Sequence, residues 1–137
     1  MLIVNSAHVA HWVSIRIEGM FPSQGATSIG DIRDGKIVGG VVFDSYTGAS
    51  IVASIAFDKV GWSRKFIWAI FDYPFNQLGV SKIIAYAHYW NVKSLNLLRK
   101  MGFKQEGRIK DVYEDGDMLI MTLTKNDCIW LKRLQHG

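Results

Sequence analysis

Three side chains close together in the sequence, His88, Asn91 and Ser94, carry chemistry that a polar helix entrance can use. Asn91 precedes an apolar series, Val92, Leu95, Leu98 and Met101, at helical spacing, so its side-chain oxygen is placed to cap a helix N-terminus. Ser94 lies one turn in and adds a hydroxyl beside that end. His88 closes the strand before this helix and has the intrinsic pKa, about 6.5, of a base at neutral pH; a lone histidine there serves equally well as a wall. A second set lies in residues 58–65, DKVGWSRK. Gly61 permits close backbone approach, Ser63 adds a hydroxyl, and Arg64 and Lys65 add charge. A strand-to-helix junction also directs free N–H groups and a positive dipole end at one spot, which suits an anion. One glycine is ordinary in such loops, so the stretch alone also fits a plain connection.

The elements that must position these groups follow from periodicity and turn chemistry. Leu2 to Val4 reads as a short strand, and Ser6 caps a helix with Val9, Trp12, Val13 and Ile17 on one side. Residues 20–26 are loop. Strands 27–32 and 36–43 flank Asp34-Gly35, a strong hairpin signal. Ala49 to Phe57 is nearly continuously apolar and is expected to be buried on both faces. A long helix is expected to run to about Leu78, disturbed by Pro74, which cannot donate to the carbonyl of Ile70. Lys82 to His88 is a strand and 92–101 a helix. Gly102 and Phe103 fit a left-handed ending in which Phe103 packs back on Leu98. Strands 103–113 and 118–124 flank Glu114-Asp115-Gly116-Asp117, and residues 129–134 form a short helix or tail. Two adjacent strands each followed by a helix N-terminus make a crevice at their carboxyl ends, where open α/β sheets bind ligands. Asn91 and Ser94 would face it together with the amides of residues 61–64.

With 137 residues, 49% hydrophobic and 20% charged, the chain suits one folded domain spanning 1–137 and not a disordered one. No apolar run approaches the roughly 20 residues of a membrane helix, and the start lacks the basic n-region of a signal peptide. One cysteine, Cys128, leaves no internal disulfide and no zinc cage, which implies a reducing, cytoplasmic setting. His8 and His11 lack a third ligand, so no metal is expected. Charge is uneven: residues 1–58 hold three Lys/Arg against five Asp/Glu, net −2, and residues 59–137 hold thirteen against seven, net +6. An anionic ligand therefore belongs with the second half.

The stretch YPFNQLGVSKIIAYAHYWNVKSLNLLRKMGFKQEGRIKDVYEDGD carries a pattern of Asn91, Ser94, Gly102, Phe103, Glu106, Gly107, Gly116 and Asp117. In this it resembles the GNAT superfamily of acyl-CoA N-acyltransferases, most of all the branch that acetylates ribosomal-protein N-termini. The resemblance is clearest over residues 61–124. It implies an α/β (mixed α+β) fold: a mostly antiparallel sheet of about seven strands with helices on both faces, in the order β-α-β-β-β-α-β-α-β-β. The cofactor half would be about 49–103, with acetyl-CoA as acyl donor and no metal. The acceptor would be an amine, either a peptide N-terminus or a small molecule, and the protein a monomer or homodimer. By the same resemblance Ile55, Ala56 and Phe57 would supply the backbone donor that polarises the thioester carbonyl. Amides of Gly61, Trp62, Ser63 and Arg64 would cradle the pyrophosphate. Asn91 would hydrogen-bond the pantetheine arm, Ser94 would relay a proton, and Lys100 or Arg99 would screen cofactor phosphate.

The chain departs from that pattern in three places. Asp58 stands where the family's phosphate loop has Gln or Arg, Leu98 stands where many members have a tyrosine general acid, and no Glu lies on 49–57 to act as base. These departures keep open an alternative, a non-catalytic GNAT-fold structural or interaction module with a degenerate CoA site. A nucleic-acid binder is disfavoured, because basic and aromatic residues do not interleave on adjacent strands as a stacking platform needs.

Overall fold

The computed structural model describes residues 1–17, 25–58 and 63–134. Seven strands form one sheet: β1 (Leu2–Val4), β2 (Thr27–Arg33), β3 (Lys36–Asp44), β4 (Ser50–Phe57), β5 (Lys82–His88), β6 (Lys104–Tyr113) and β7 (Gly116–Thr124), in the spatial order β1-β2-β3-β4-β5-β7-β6. All neighbours are antiparallel except β4 and β5. Four helices accompany it among the described residues: α1 (Ala7–Ser14), α2 (Arg64–Asp72), α3 (Val92–Met101) and α4 (Ile129–Arg133). The expected element order is therefore present.

The parallel pairing is short. It joins Ser50 to Lys82, Ile51 to Ile83 and Val52 to Ile84, and then stops. Beyond it Ala53–Phe57 pair only with β3, and Ala85–His88 only with β7. Each strand is held by its outer neighbour, so the two part like the arms of a V. The N-terminal end of α3, which starts just after β5 ends, faces the gap.

Helices cover both faces. Val9 and Val13 of α1 are fully buried against Val42 and Ala56 on one face. On the other, Phe66, Ile67, Ile70 and Phe71 of α2 and Leu95, Leu98 and Met101 of α3 pack with Ile51, Ala53, Ile55, Ile83, Ala85 and Ala87. Fully burying one such large apolar side chain contributes about 1.5–3 kcal/mol. Burial along β4 is less complete than its apolar run suggests: Val52 and Ser54, on the α1 face, are half-buried. α1 is too short to cover more than part of that face.

Two details differ from the sequence reading. The helix after residue 63 does not continue as α-helix to Leu78 but opens at Asp72 into a single π turn, Tyr73–Gln77, closed by the Leu78 N–H donating to the Tyr73 carbonyl at 3.0 Å. Pro74 has no N–H to continue the i→i−4 ladder, and the wider turn accommodates the missing donor. Strand β7 starts at Gly116 and not Met118, so the hairpin turn is only Glu114-Asp115. The end of α3 is as expected: Gly102 has φ +103°, and Phe103 N–H reaches the Leu98 carbonyl at 3.0 Å.

Consecutive glycines on β3 set the helix distances. A Cβ on Gly39 would lie 2.6 Å from the Phe66 ring of α2, and one on Gly40 would lie 2.6 Å from a Val13 methyl of α1. Both helices thus rest on bare backbone. Gly40→Val is expected to lower unfolding free energy by about 1–3 kcal/mol through overpacking. Urea denaturation checks this; an unchanged midpoint would mean that α1 is not seated on β3.

Candidate active site

A cavity of about 330 Å³ lies where β4 and β5 part. Ile55, Ala56, Phe57 and Asp58 form one wall, Asn91, Lys93, Ser94 and Leu97 a second, and Arg16 and Ile17, just after α1, a third. Ile55 belongs to the core on the α2 and α3 face, Ala56 to the core under α1. The cavity therefore passes through the layer of the sheet and is bounded by helices from both sides.

Its β4 wall carries backbone donors. The Asp58 N–H donates to the Val38 carbonyl at 2.8 Å, continuing the register in which Ala56 faces Gly40 and Phe57 faces Gly39. Hydrogen-bonding direction alternates along an antiparallel strand. Ala56 thus turns its N–H toward β3, whereas Ile55 and Phe57 turn theirs toward the gap. Of the three expected donors, Ile55 and Phe57 have this orientation, and Ala56 contributes its methyl to the wall.

The α3 wall is built by its cap. Asn91 Oδ1 accepts the Ser94 N–H at 3.1 Å, fixing the first turn. That bond engages the oxygen but leaves the Asn91 amide Nδ2 without a partner among the described residues. The Ser94 hydroxyl, on the cavity wall, is likewise without one. Asn91 and Ser94 are therefore brought together with Ile55 and Phe57, as the sequence led one to expect.

Other expected residues lie elsewhere. Gly61 and Trp62 fall outside the described residues. Ser63 caps α2: its Oγ accepts the Phe66 N–H at 3.2 Å and donates to Asp31 Oδ2 at 2.9 Å. A buried carboxylate thus already engages this hydroxyl at the positive end of α2. Arg64 is exposed at the first position of α2. Lys100 sits in the last turn of α3, nine residues from the cap, hence about 13 Å along the helix from the cavity end. It does not line the cavity. Lys93, in the first turn, does.

His88 is not in the cavity lining either. Its ring is buried on the far side of β5, stacked on Tyr113 at 4.5 Å and tilted against Trp90 at 4.3 Å. Its Nε2 meets Asp115 Oδ1 at 2.6 Å, and the Trp90 indole N–H donates to Asp115 Oδ2 at 3.1 Å. This cluster ties the β6–β7 turn to the end of β5, immediately before the α3 cap. Its geometry is that of the wall role, not of a base beside Ser94.

Arg16 was not readable as a site residue, because only the fold brings the end of α1 to the end of β4. Its Nε lies 3.5 Å from Asp58 Oδ1, Nη1 donates to the Trp12 carbonyl at 3.1 Å, and the guanidinium stacks 3.6 Å from the Trp12 ring centroid. Asp31 was missed for the same reason. Among the described residues no cluster of three or more His, Cys, Asp or Glu could hold a metal, and no helix is long and apolar enough to cross a membrane. Cys128 is buried, and burial pushes its thiol pKa up.

No protein-family model matches this sequence, and no curated protein matches it significantly. Solved structures do. A chimera of spermidine N-acetyltransferase SpeG from Vibrio cholerae and hSSAT superposes with a TM-score of 0.72 at 16% identity, over 92% of this chain and 97% of that one. The ribosomal-protein-S5-alanine acetyltransferase from Vibrio fischeri gives 0.61 at 21% identity, over 75% of this chain and 63% of that one, so this chain spans less than two thirds of its length. Campylobacter jejuni N-acetyltransferase PseH, in complex with acetyl coenzyme A, gives 0.55 at 22% identity, over 75% and 70%. At these identities the likeness establishes the fold: the chain has the fold of the GNAT acetyltransferases.

Around the C-terminal hairpin three carboxyls are held below their ordinary pKa. Asp115 is lowered chiefly by its hydrogen bond from His88, Asp117 by the Asp111 N–H and then Arg108, and Glu106 by Lys82 and then Thr122. A depressed folded-state pKa contributes stability that is present above the ordinary carboxylate range and is lost as pH falls through it. The protein is therefore expected to lose stability progressively below about pH 4. Asp115→Asn should make that acid limb shallower in urea titrations run from pH 6 to pH 3. An identical limb would show that the His88–Asp115 bond contributes nothing to folding in solution.

Proposed function

We propose that the protein is an acetyl-CoA-dependent N-acetyltransferase whose acceptor is a primary amine. The observation that carries this reading is the convergence, on one cavity, of the Ile55 and Phe57 backbone donors, the Asn91 amide and the Ser94 hydroxyl in a GNAT fold. The residues fit the donor. A V-shaped gap with N–H groups of one arm directed into it can take an extended amide-bearing arm as a strand would be taken. The capped α3 terminus and Lys93 favour negative charge at one mouth.

Bound acetyl-CoA supplies an activated acyl group: the C–S bond breaks, a C–N bond forms, one proton leaves the amine and one reaches the sulfur. The chain's own groups act around that exchange. The Ile55 or Phe57 N–H is oriented to donate to the acyl oxygen, where negative charge grows. Asn91 Nδ2 donates to the arm, and Ser94 Oγ passes a proton to the departing sulfur. Asp58 is the one carboxylate among the described lining residues, and Arg16 holds it. An amine that is partly neutral at pH 7 makes the least demand on such a site. A peptide N-terminus, with a pKa of about 7.7–8.0, is about a tenth or more neutral there, unlike an alkylamine near 10. This supports the N-terminus of a peptide over a polyamine.

One observation favours the non-catalytic alternative. Leu98, where the family pattern has a tyrosine, is buried in the core and is not in the described lining of the cavity. Calorimetry with CoA and acetyl-CoA tests the donor site, and saturable binding that weakens with salt is expected. Arg64→Ala with Lys65→Ala should flatten the salt slope if phosphates dock at α2. No saturable heat at millimolar ligand would reject the proposal.

Asn91→Ala should cost about 0.5–2 kcal/mol of stability as a lost cap and weaken CoA binding further than that. Ser94→Ala should leave melting and CoA binding close to wild type while lowering turnover by about 10²–10⁴. Steady-state kinetics on a peptide panel, beside thermal melts, measures both. Equal turnover by Ser94→Ala removes the relay. CoA binding without any turnover in wild type selects the non-catalytic module.

A further inference from the structure

The charge of the cavity mouth on the α1 side points to a particular class of acceptor; this rests on the acyltransfer reading above. The cavity has two approaches. One is set by the N-terminus of α3 with Asn91, Lys93 and Ser94, the other by the end of α1 with Arg16 and Ile17. A donor arm lying in the gap along the α3 group of lining residues leaves the α1 group to face the acceptor. Arg16 belongs to that group.

Its geometry is that of a positioned receptor. The Trp12 ring backs the guanidinium at 3.6 Å, the Trp12 carbonyl accepts from Nη1, and Asp58 Oδ1 lies 3.5 Å from Nε as an ion pair. These contacts fix the plane and leave the Nη2 donors without a partner among the described residues. The Arg16 side chain is one-third exposed (33%), which keeps the group reachable yet partly desolvated. A guanidinium held in this way donates from Nη2 to a carboxylate oxygen in a charge-assisted bond. The described lining holds two cations, Arg16 and Lys93, against one carboxylate, Asp58, hence net +1. That carboxylate is already paired. A second ammonium on the acceptor would meet repulsion and no free acid among these residues.

We infer that the acceptor is an amine carrying a carboxylate, which Arg16 binds at the α1 mouth, and that polyamines are excluded. The shared chemistry has two sources, an amino acid's own carboxylate or an acidic side chain next to a peptide N-terminus.

The test measures product binding, so it needs no turnover. N-acetyl-4-aminobutyrate, N-acetyl-4-aminobutanamide and N-acetylputrescine share a length and differ only in a distal carboxylate, amide or ammonium. Three N-acetyl tripeptide amides with Glu, Gln or Lys at the second position form the peptide arm. Each is titrated into the CoA-saturated protein. The carboxylate compound of at least one arm should bind about tenfold or more tighter than its amide partner, with the ammonium compound weakest. Arg16→Gln, held at a CoA concentration that its own CoA titration shows to be saturating, should erase that ranking. Arg16→Lys, which keeps the charge without the guanidinium, should restore part of it. The arm that shows the ranking identifies the source. Equal binding of all three compounds in both arms, tighter binding of the ammonium compound, or a ranking that survives Arg16→Gln would overturn the inference. Failure of CoA itself to bind would instead defeat the acyltransfer reading, and the separate CoA titration shows which has failed.

Discussion

Three residue pairs of parallel pairing between β4 and β5, and no more, are the constraint on which the rest of the molecule depends. A continuous ladder would carry β5 along Ile55 and Phe57 and close the cavity. No pairing at all would break the sheet into two. The intermediate state is stable because each arm keeps its other partner: β3 follows β4 to its end, and β7 follows β5 to His88. A backbone group without a strand partner, such as the Ile55 N–H, costs free energy where water is excluded. The gap is tolerated because it is open, at a mouth where solvent or a ligand can reach it.

The two helices that follow β4 and β5 in the chain use the same capping chemistry with different results. Asn91 caps α3 with its oxygen and retains an amide for another partner. Ser63 caps α2 with its only side-chain oxygen, and its hydroxyl proton is engaged by Asp31. An amide has separate donor and acceptor atoms, whereas a hydroxyl must serve both roles from one oxygen. This difference makes the α3 end the better supported contact for a ligand. The α2 end, over its described residues, is chiefly a structural joint between helix, strand β2 and the chain terminus, whose ammonium lies 3.5 Å from Asp31.

What the sequence made legible was local. Caps at Ser6 and Asn91, the left-handed Gly102 ending and the Asp34-Gly35 hairpin each follow from a few adjacent residues and are present. Disturbance at Pro74 was legible, but its form was not, because a kink and a π turn answer the same missing N–H. The divergence of β4 and β5 was invisible to periodicity, since both strands keep their pattern through it. Arg16 and Asp31 act across 42 and 32 residues of sequence, with Asp58 and Ser63 respectively, and no local signal announces such pairs. His88 was misleading for the opposite reason: its position beside the α3 cap is close in sequence, but strand alternation turns its ring to the other face. Lys100 could have been set aside from sequence alone, since a helix that presents its first turn to a ligand carries its last turn away.

Asp58 changes meaning once its surroundings are known. In sequence, an acid in place of Gln or Arg reads as damage to an anion site. In the fold its carboxylate meets a guanidinium delivered from α1, so the pair adds no net charge to the wall. What remains to act on a ligand is Lys93, the α3 dipole and the uncommitted edge of Arg16. A lone carboxylate at that position would repel phosphate over a distance comparable to the cavity itself, since screening extends about 8–10 Å at ordinary ionic strength. A paired one does not, and it gives Arg16 a fixed plane. The residue that departs most clearly from the family pattern is thus the one that orients a cation of the cleft, and the two positions are best regarded as a single unit.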